Sequence, residues 1–261
     1  MYRETPVSRW TTGSLEEEAD RVADETAIAL TYNREPYVVM MATPADLEDF
    51  ALGFSLSEGI IRDAGELLST RVVAREQGIE VAMTVTAEVA RRLREQRRNL
   101  TGRTGCGLCG AESIEQAMRM PVPVARRARF GHEIIQRATE RLAEAQTLQS
   151  STGAVHCAMW FSQEGELQWV REDVGRHNAL DKLIGCIRRL PADVGPGFVG
   201  ISSRASYEMV YKAAAAGAEM LVAVSAPTGL AIDYAHRSGL TLVGFARPGR
   251  HNVYTLSLIH I

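Results

Sequence analysis

Lysine is almost missing from this chain, occurring only at Lys182 and Lys212, so the other basic residues are arginine. Genomic base composition explains such a bias, and an arginine cluster is therefore a weak phosphate signal until its position supports it. There is no excess charge of either sign: 29 basic against 32 acidic residues leave a net charge of −3, which gives no global field directed at nucleic acid or an anionic membrane. No apolar run approaches the roughly 20 residues of a membrane span. The opening Met1-Tyr2-Arg3-Glu4 lacks a signal-peptide core, so a cytoplasmic protein is expected. Cysteine is also scarce. Four residues (Cys106, Cys109, Cys157, Cys186) with one close pair do not form a secreted disulfide framework, and a reducing compartment keeps them available for chemistry. With 261 residues, 46% of them hydrophobic, the chain is long enough to bury a full core in one large domain or two smaller ones.

What the chain does contain is organised around Gly105-Cys106-Gly107-Leu108-Cys109-Gly110. Three glycines in six residues exclude a strand or helix interior and read as a loop that presents two thiols. The residues that follow, Ala111 to Met118, are good helix formers, so the thiols are expected near a helix N-terminus, whose free N–H groups favour a thiolate. The pair alone supports three readings. Half a zinc site would need a second ligand pair, and neither Cys157, Cys186 nor the histidines supply one at finger spacing. A thiol–disulfide redox pair would be expected behind a thioredoxin-like strand, which the preceding residues do not form. The third reading is a sulfur carrier. Cys157, beside His156 in an apolar strand, and Cys186, on a helix, read as inert core residues.

In chain order, residues 1–20 are polar and unpatterned and read as a loose arm. Alternating apolar residues at 24–32 and 37–41 flank an Asn33–Pro36 turn and predict a hairpin. Thr43 and Pro44 read as the cap and first turn of a helix carrying Leu47, Phe50, Ala51 and Phe54, with Asp46, Glu48 and Asp49 as its solvated acidic start. Strands at about 70–76 and 79–86 and a helix at about 87–98 complete a small α+β unit, the helix arginines Arg91, Arg92, Arg94, Arg97 and Arg98 forming a solvated face. Beyond the cysteine loop come a helix around Ile134 to Leu142, strands at about 154–161 and 167–172 about a Gln163-Glu164-Gly165 turn, and a helix from Arg176 to Arg189. Strand 198–202, helix 206–216, strand 220–224, helix 228–238 and strand 241–246 follow. Alternation of this kind predicts an α/β fold on a largely parallel sheet covered on both faces, with ligands at the carboxyl ends of its strands.

Three polar loops fall at those ends. Glu172 to Asn178, Ser202-Ser203-Arg204-Ala205-Ser206, and Phe245-Ala246-Arg247-Pro248-Gly249-Arg250 each read as caps or turns individually. Together they suggest a pocket for a large phosphorylated ligand, with Ser202, Ser203, Arg204, Arg247 and Arg250 offering hydroxyls and guanidiniums.

The stretches Glu48 to Phe54, Gly105 to Gly110, Arg171 to Lys182, Ser202 to Val210 and Leu242 to Phe245 resemble the formate dehydrogenase accessory sulfurtransferase family, the FdhD proteins, over about residues 20–255. The resemblance implies a sulfurtransferase that takes sulfur from a cysteine desulfurase as a cysteine persulfide. It would deliver that sulfur to the molybdenum or tungsten bis-molybdopterin guanine dinucleotide needed by formate dehydrogenase. It also implies a three-layer α/β/α deaminase-like domain without the deaminase zinc, a smaller N-terminal α+β domain, and a homodimer. Carried onto this sequence, the persulfide falls on Cys106 with Cys109 as its neighbour, and the cofactor-binding segment on Phe245, Ala246, Arg247, Pro248, Gly249 and Arg250. A guanine nucleotide such as GDP is the expected cofactor fragment. A thiol–disulfide oxidoreductase and a non-catalytic cofactor chaperone are the alternatives. The expected division is a flexible arm at 1–20, the small domain at 21–100, the cysteine loop with the deaminase-like domain at 101–255, and a tail at 256–261. That tail, Leu256-Ser257-Leu258-Ile259-His260-Ile261, breaks the preceding pattern and is what the sequencing-library adapter CTGTCTCTTATACACATC encodes, so it reads as non-native.

Overall fold

Neither face of the first 23 residues is buried, and so no period-2 pattern marks them, yet β1 (Tyr2–Thr11) and β2 (Ser14–Ala23) pair antiparallel along their whole length. The stretch expected as a loose arm is thus a two-stranded ribbon, with Trp10 and Leu15 paired near its tip and 69% and 68% exposed. The computed structural model describes residues 1–100, 121–125, 127–191 and 194–255, without the side chains of 96–100. Cys106 and Cys109, the side chains of Arg97 and Arg98, and the tail from Leu256 lie outside the described residues.

The first hundred residues also contain a four-stranded sheet in the order β4-β3-β6-β5. Its strands are β3 (Thr26–Tyr32), β4 (Glu35–Ala42), β5 (Leu67–Arg75) and β6 (Gly78–Val85). Asn33 and Arg34, both at positive φ, make the tight β3–β4 turn that strand twist favours. The inner face, with Ile28, Leu30, Val81 and Met83, packs on Phe50, Ala51 and Phe54 of α1 (Leu47–Ser57) and Val89 and Ala90 of α2 (Ala87–Leu100).

The larger sheet runs β12-β11-β10-β9-β7-β8. It is built from β7 (His156–Ser162), β8 (Leu167–Asp173), β9 (Gly197–Ile201), β10 (Met220–Ala223), β11 (Thr241–Arg247) and β12 (Arg250–Thr255). The expectation of a largely parallel sheet is corrected: only β9, β10 and β11 are parallel neighbours, while β7, β8 and β12 run antiparallel to theirs. The reason is local. Tight turns join β7 to β8 and β11 to β12, and a hairpin can only be antiparallel. Alternate residues of the strands feed two cores. On one face Trp160, Val199, Leu221 and Leu242 meet α5 (Arg176–Arg188), α6 (Tyr207–Ala215) and α7 (Gly229–Ser238). On the other, Met159, Phe161, Phe198 and Val243 meet Ile135, Ala138 and Leu142 of α3 (His132–Glu144), which is followed by the short α4 (Thr147–Thr152). Among the described residues no helix is long and apolar enough to cross a membrane.

The two sheets are joined where α1 crosses α5. A methyl group placed on Gly53 would lie 1.7 Å from the Asp181 carbonyl oxygen, and one on Gly185 would lie 1.8 Å from that of Asp49, so each helix is in backbone contact with the other. Gly185→Ala must part the helices and is expected to cost roughly 1–3 kcal/mol; urea unfolding reads it, and an unchanged midpoint would contradict this crossing.

Candidate functional site at the carboxyl edge of the larger sheet

The sequence placed Glu172 to Asn178 at a ligand-binding edge, but its polar groups turn inward. Asp173 and Lys182 are both fully buried and paired at 2.6 Å. The Asp173 carboxylate also accepts Thr43 N–H (3.0 Å), Gly175 N–H (2.8 Å) and Asn178 Nδ2 (3.0 Å). Lys182 Nζ donates to the Thr43 carbonyl at 2.9 Å. Thr43 therefore belongs to the junction between the sheets, and α1 begins later than expected, with Asp46 at φ 52° as its cap residue. Asp49, expected on a solvated first turn, is buried between Arg171 (2.6 Å) and Arg189 (2.8 Å). Asp181 is held by Ser57 Oγ at 2.6 Å and by Lys212 Nζ at 2.7 Å. Burial alone would discharge Lys212, but Asp181 and Glu58 outweigh it and leave its pKa above the ordinary value.

The other two loops do converge. Beyond β9, β10 and β11 the parallel pairing continues: Val224 N–H donates to the Ile201 carbonyl (3.0 Å), Ser225 N–H to Ser203 (3.4 Å) and Phe245 N–H to Ser225 (3.1 Å). Ser203 and Phe245 are thereby set on either side of Ser225, on one edge of the sheet. The Ser202 and Ser203 hydroxyls already have protein partners. Ser202 Oγ accepts Cys157 N–H at 3.0 Å and lies 3.3 Å from His156 Nδ1, and Ser203 Oγ donates to the Arg204 carbonyl at 3.0 Å. Arg247 is likewise engaged, its Nη1 donating to the carbonyls of Val224 (2.6 Å) and Ala246 (3.2 Å), and Ala246 is buried. What this edge presents to an anion is the exposed guanidiniums of Arg204 and Arg250 and the exposed Pro248-Gly249 turn. Phe245 is 44% exposed with φ at 52°, a backbone conformation costly for a side chain bearing a Cβ and one that concentrates at ligand contacts.

His156 was passed over as a neighbour of Cys157. Because β7 runs antiparallel to β9, its first residue lands at the carboxyl edge beside Ser202. Burial, and then the charges of Arg176 and His177, lower its pKa and keep it neutral near pH 7. Cys157 and Cys186 are core residues as expected. Burial pushes the Cys157 thiol up to about 12 and raises that of Cys186, so neither is a nucleophile at neutral pH.

The FdhD/NarQ family model matches residues 23–258, nearly everything beyond the ribbon. The chain belongs to the FdhD/NarQ family. A relative from Cupriavidus necator, named sulfur carrier protein FdhD, is 53% identical over 248 residues, covering 95% of this chain and 86% of its own. One of the same name from Xanthomonas campestris pv. campestris (strain B100) is 50% identical over 236 residues, covering 90% and 84%. A crystal structure described as a formate dehydrogenase accessory protein from Desulfotalea psychrophila matches at a TM-score of 0.79 and 26% identity over 99% of each chain. The FdhD/NarQ span takes in the cysteine loop and the convergent edge. Of the motifs that carried the resemblance, those around Asp49, Gly53, Asp173 and Lys182 serve the buried junction.

Proposed function

We propose that this protein is a sulfur carrier for formate dehydrogenase, with Cys106 as the residue that bears the sulfur. The observation that carries this reading is elimination among four thiols: Cys157 and Cys186 are buried with raised pKa values, which leaves the glycine-flanked pair Cys106 and Cys109. The names of the relatives agree with it. In the loading step the Cys106 thiolate attacks the outer sulfur of a cysteine desulfurase persulfide, and the donor cysteine leaves as its thiolate. The persulfide's outer sulfur then goes to the molybdenum or tungsten bis-molybdopterin guanine dinucleotide, here a substrate, as the S–S bond breaks and Cys106 leaves as its thiolate, before the cofactor enters the dehydrogenase catalytic subunit. A cytoplasmic homodimer with a deaminase-like larger domain completes the reading. Mass spectrometry after incubation with a desulfurase and cysteine tests it: one added sulfur is expected on the loop peptide. A peptide that only cycles between dithiol and disulfide supports an oxidoreductase instead, and an inert peptide supports a cofactor chaperone.

For the guanine dinucleotide we propose the carboxyl edge. Arg250 and Arg204 supply charge for phosphates, and Phe245 supplies an exposed ring on which a purine can stack, a contact worth roughly 1–3 kcal/mol. A charge-assisted contact contributes roughly 1.5–3 kcal/mol. Arg250→Ala should therefore weaken GDP binding by about ten-fold or more while persulfide loading continues. Calorimetry with GDP decides it, and an affinity unchanged in the variant would take Arg250 out of the pocket.

A further inference from the structure

We propose that Gln136, on the helix facing the β11–β12 hairpin, is the positioning residue for the anion-binding turn Arg247–Arg250, acting through a hydrogen-bonded chain Gly249–Gln136–His251–His132. The proposal rests on the reading of this edge as the nucleotide pocket. Gln136 has no place in the motifs that carry the family resemblance, and its side chain is the bridge between α3 and this turn.

The geometry fixes every proton in the chain. Gly249 has a φ of 81°, and its N–H donates to Gln136 Oε1 at 2.7 Å. The amide oxygen being taken, Gln136 Nε2 faces His251 Nδ1 at 2.6 Å and must donate to it. His251 Nδ1 is therefore unprotonated, and the ring proton sits on Nε2, which donates to His132 Nδ1 at 2.8 Å. The two imidazole planes are 25° apart with centroids 5.1 Å apart. That separation is the N···N distance plus two ring radii, so the rings meet edge to edge in a true N–H···N bond. His132 and Gln136 lie four residues apart on α3, one turn of helix. One face of α3 thus grips the hairpin on both sides of Arg250, at Gly249 and at His251.

Protonation opens this chain. A proton on Nδ1 of His251 makes it a donor against the Gln136 amide, which can satisfy it only by flipping and losing Gly249. Burial, and then the charge of His132 on the facing helix, lower the pKa of His251 and keep it neutral at pH 7. On its own strand the charged neighbour is Arg250. The grip is intact above the ordinary histidine range near 6.5 and is lost as pH falls below it.

The test is calorimetry with GDP on the full-length wild type, Gln136→Leu and Gln136→Glu at pH 8 and pH 5, with the three proteins compared at the same pH so that the nucleotide's own titration cancels. Gln136→Leu should bind about five-fold more weakly than wild type at pH 8, the equivalent of one neutral hydrogen bond. Gln136→Glu can still accept from Gly249, and its second oxygen accepts from His251 Nδ1 when the imidazole takes its other neutral tautomer or is protonated. It should raise the His251 pKa in an NMR titration, and its binding relative to wild type should improve from pH 8 to pH 5, because the wild-type grip opens on protonation and that of the carboxylate does not. A purely structural lesion would keep the same ratio to wild type at both pH values. Gln136→Leu binding as tightly as wild type at pH 8, or Gln136→Glu showing no improvement relative to wild type between pH 8 and pH 5, overturns the proposal and leaves the pocket standing. Absence of GDP binding by the wild type overturns pocket and proposal together.

Discussion

Cys106→Ala is expected to abolish activation of the formate dehydrogenase client while leaving the fold and GDP binding intact. The expected loss is complete because Cys157 and Cys186 cannot substitute: both thiols are buried and hold their protons at neutral pH. Replacing a thiol by a methyl group in a glycine-flanked segment removes a nucleophile and little packing, so the thermal midpoint should stay within the small range of surface substitutions. Client activity in cells expressing the variant, together with the mass of the loop peptide after desulfurase treatment, checks this. Client activity that persists would reject Cys106 as the carrier. Cys109→Ala should cost less, since a second thiol serves to resolve or protect a persulfide rather than to hold it; equal, complete loss in both variants would mean that the pair acts as one unit.

Elements with a buried face were legible in the sequence because burial writes a period. The β3–β4 hairpin, α1, and the alternating elements from β7 to β11 all place apolar residues where one face meets a core. The β1–β2 ribbon buries neither face and so leaves no pattern to read. Strand direction was misjudged for a related reason: periodicity reports burial and says nothing of pairing. The turn at Gln163–Gly165 was visible, and weighing it as a hairpin would have corrected the parallel assignment.

At the candidate site, Phe245 to Arg250 and Ser202 to Arg204 were legible as glycine- or serine-containing strand ends, and the parallel order of β9, β10 and β11 does bring them together. Their individual duties were not. Whether a guanidinium meets a ligand or a backbone carbonyl depends on contacts made across the fold: Arg247 and Arg250 are both exposed, and Arg247 donates to the Val224 carbonyl. The acidic motif residues were misjudged by the same route. Asp49 looked like a solvated group and Asp173 like a ligand-facing one, but Asp49 finds its cations at Arg171 and Arg189 on distant segments and Asp173 finds Lys182 on the next helix, pairings that no local pattern announces.

Lys182→Met is expected to be the most damaging single change to stability. It leaves the Asp173 carboxylate fully buried without its cation and strips the Thr43 carbonyl of a donor, at the point where the strand entering α1 meets the strand entering α5. Breaking one partner of a buried ion pair costs roughly 3–5 kcal/mol, a large part of the 5–15 kcal/mol that holds an ordinary domain together. Three hydrogen bonds to Asp173 remain, from Thr43, Gly175 and Asn178, so the variant should fold but unfold at markedly lower urea. The companion is Asp173→Asn with Lys182→Met. An amide is neutral, needs no cation and can still accept through its oxygen, so the double variant should recover part of the loss, a coupling of about 1–3 kcal/mol. Equilibrium unfolding of wild type, both single variants and the double reads this cycle directly. A Lys182→Met midpoint within error of wild type, or a double variant as unstable as the sum of the singles, would mean that the charge of Lys182 is not what secures Asp173, and that the junction between the sheets rests on the α1–α5 crossing alone.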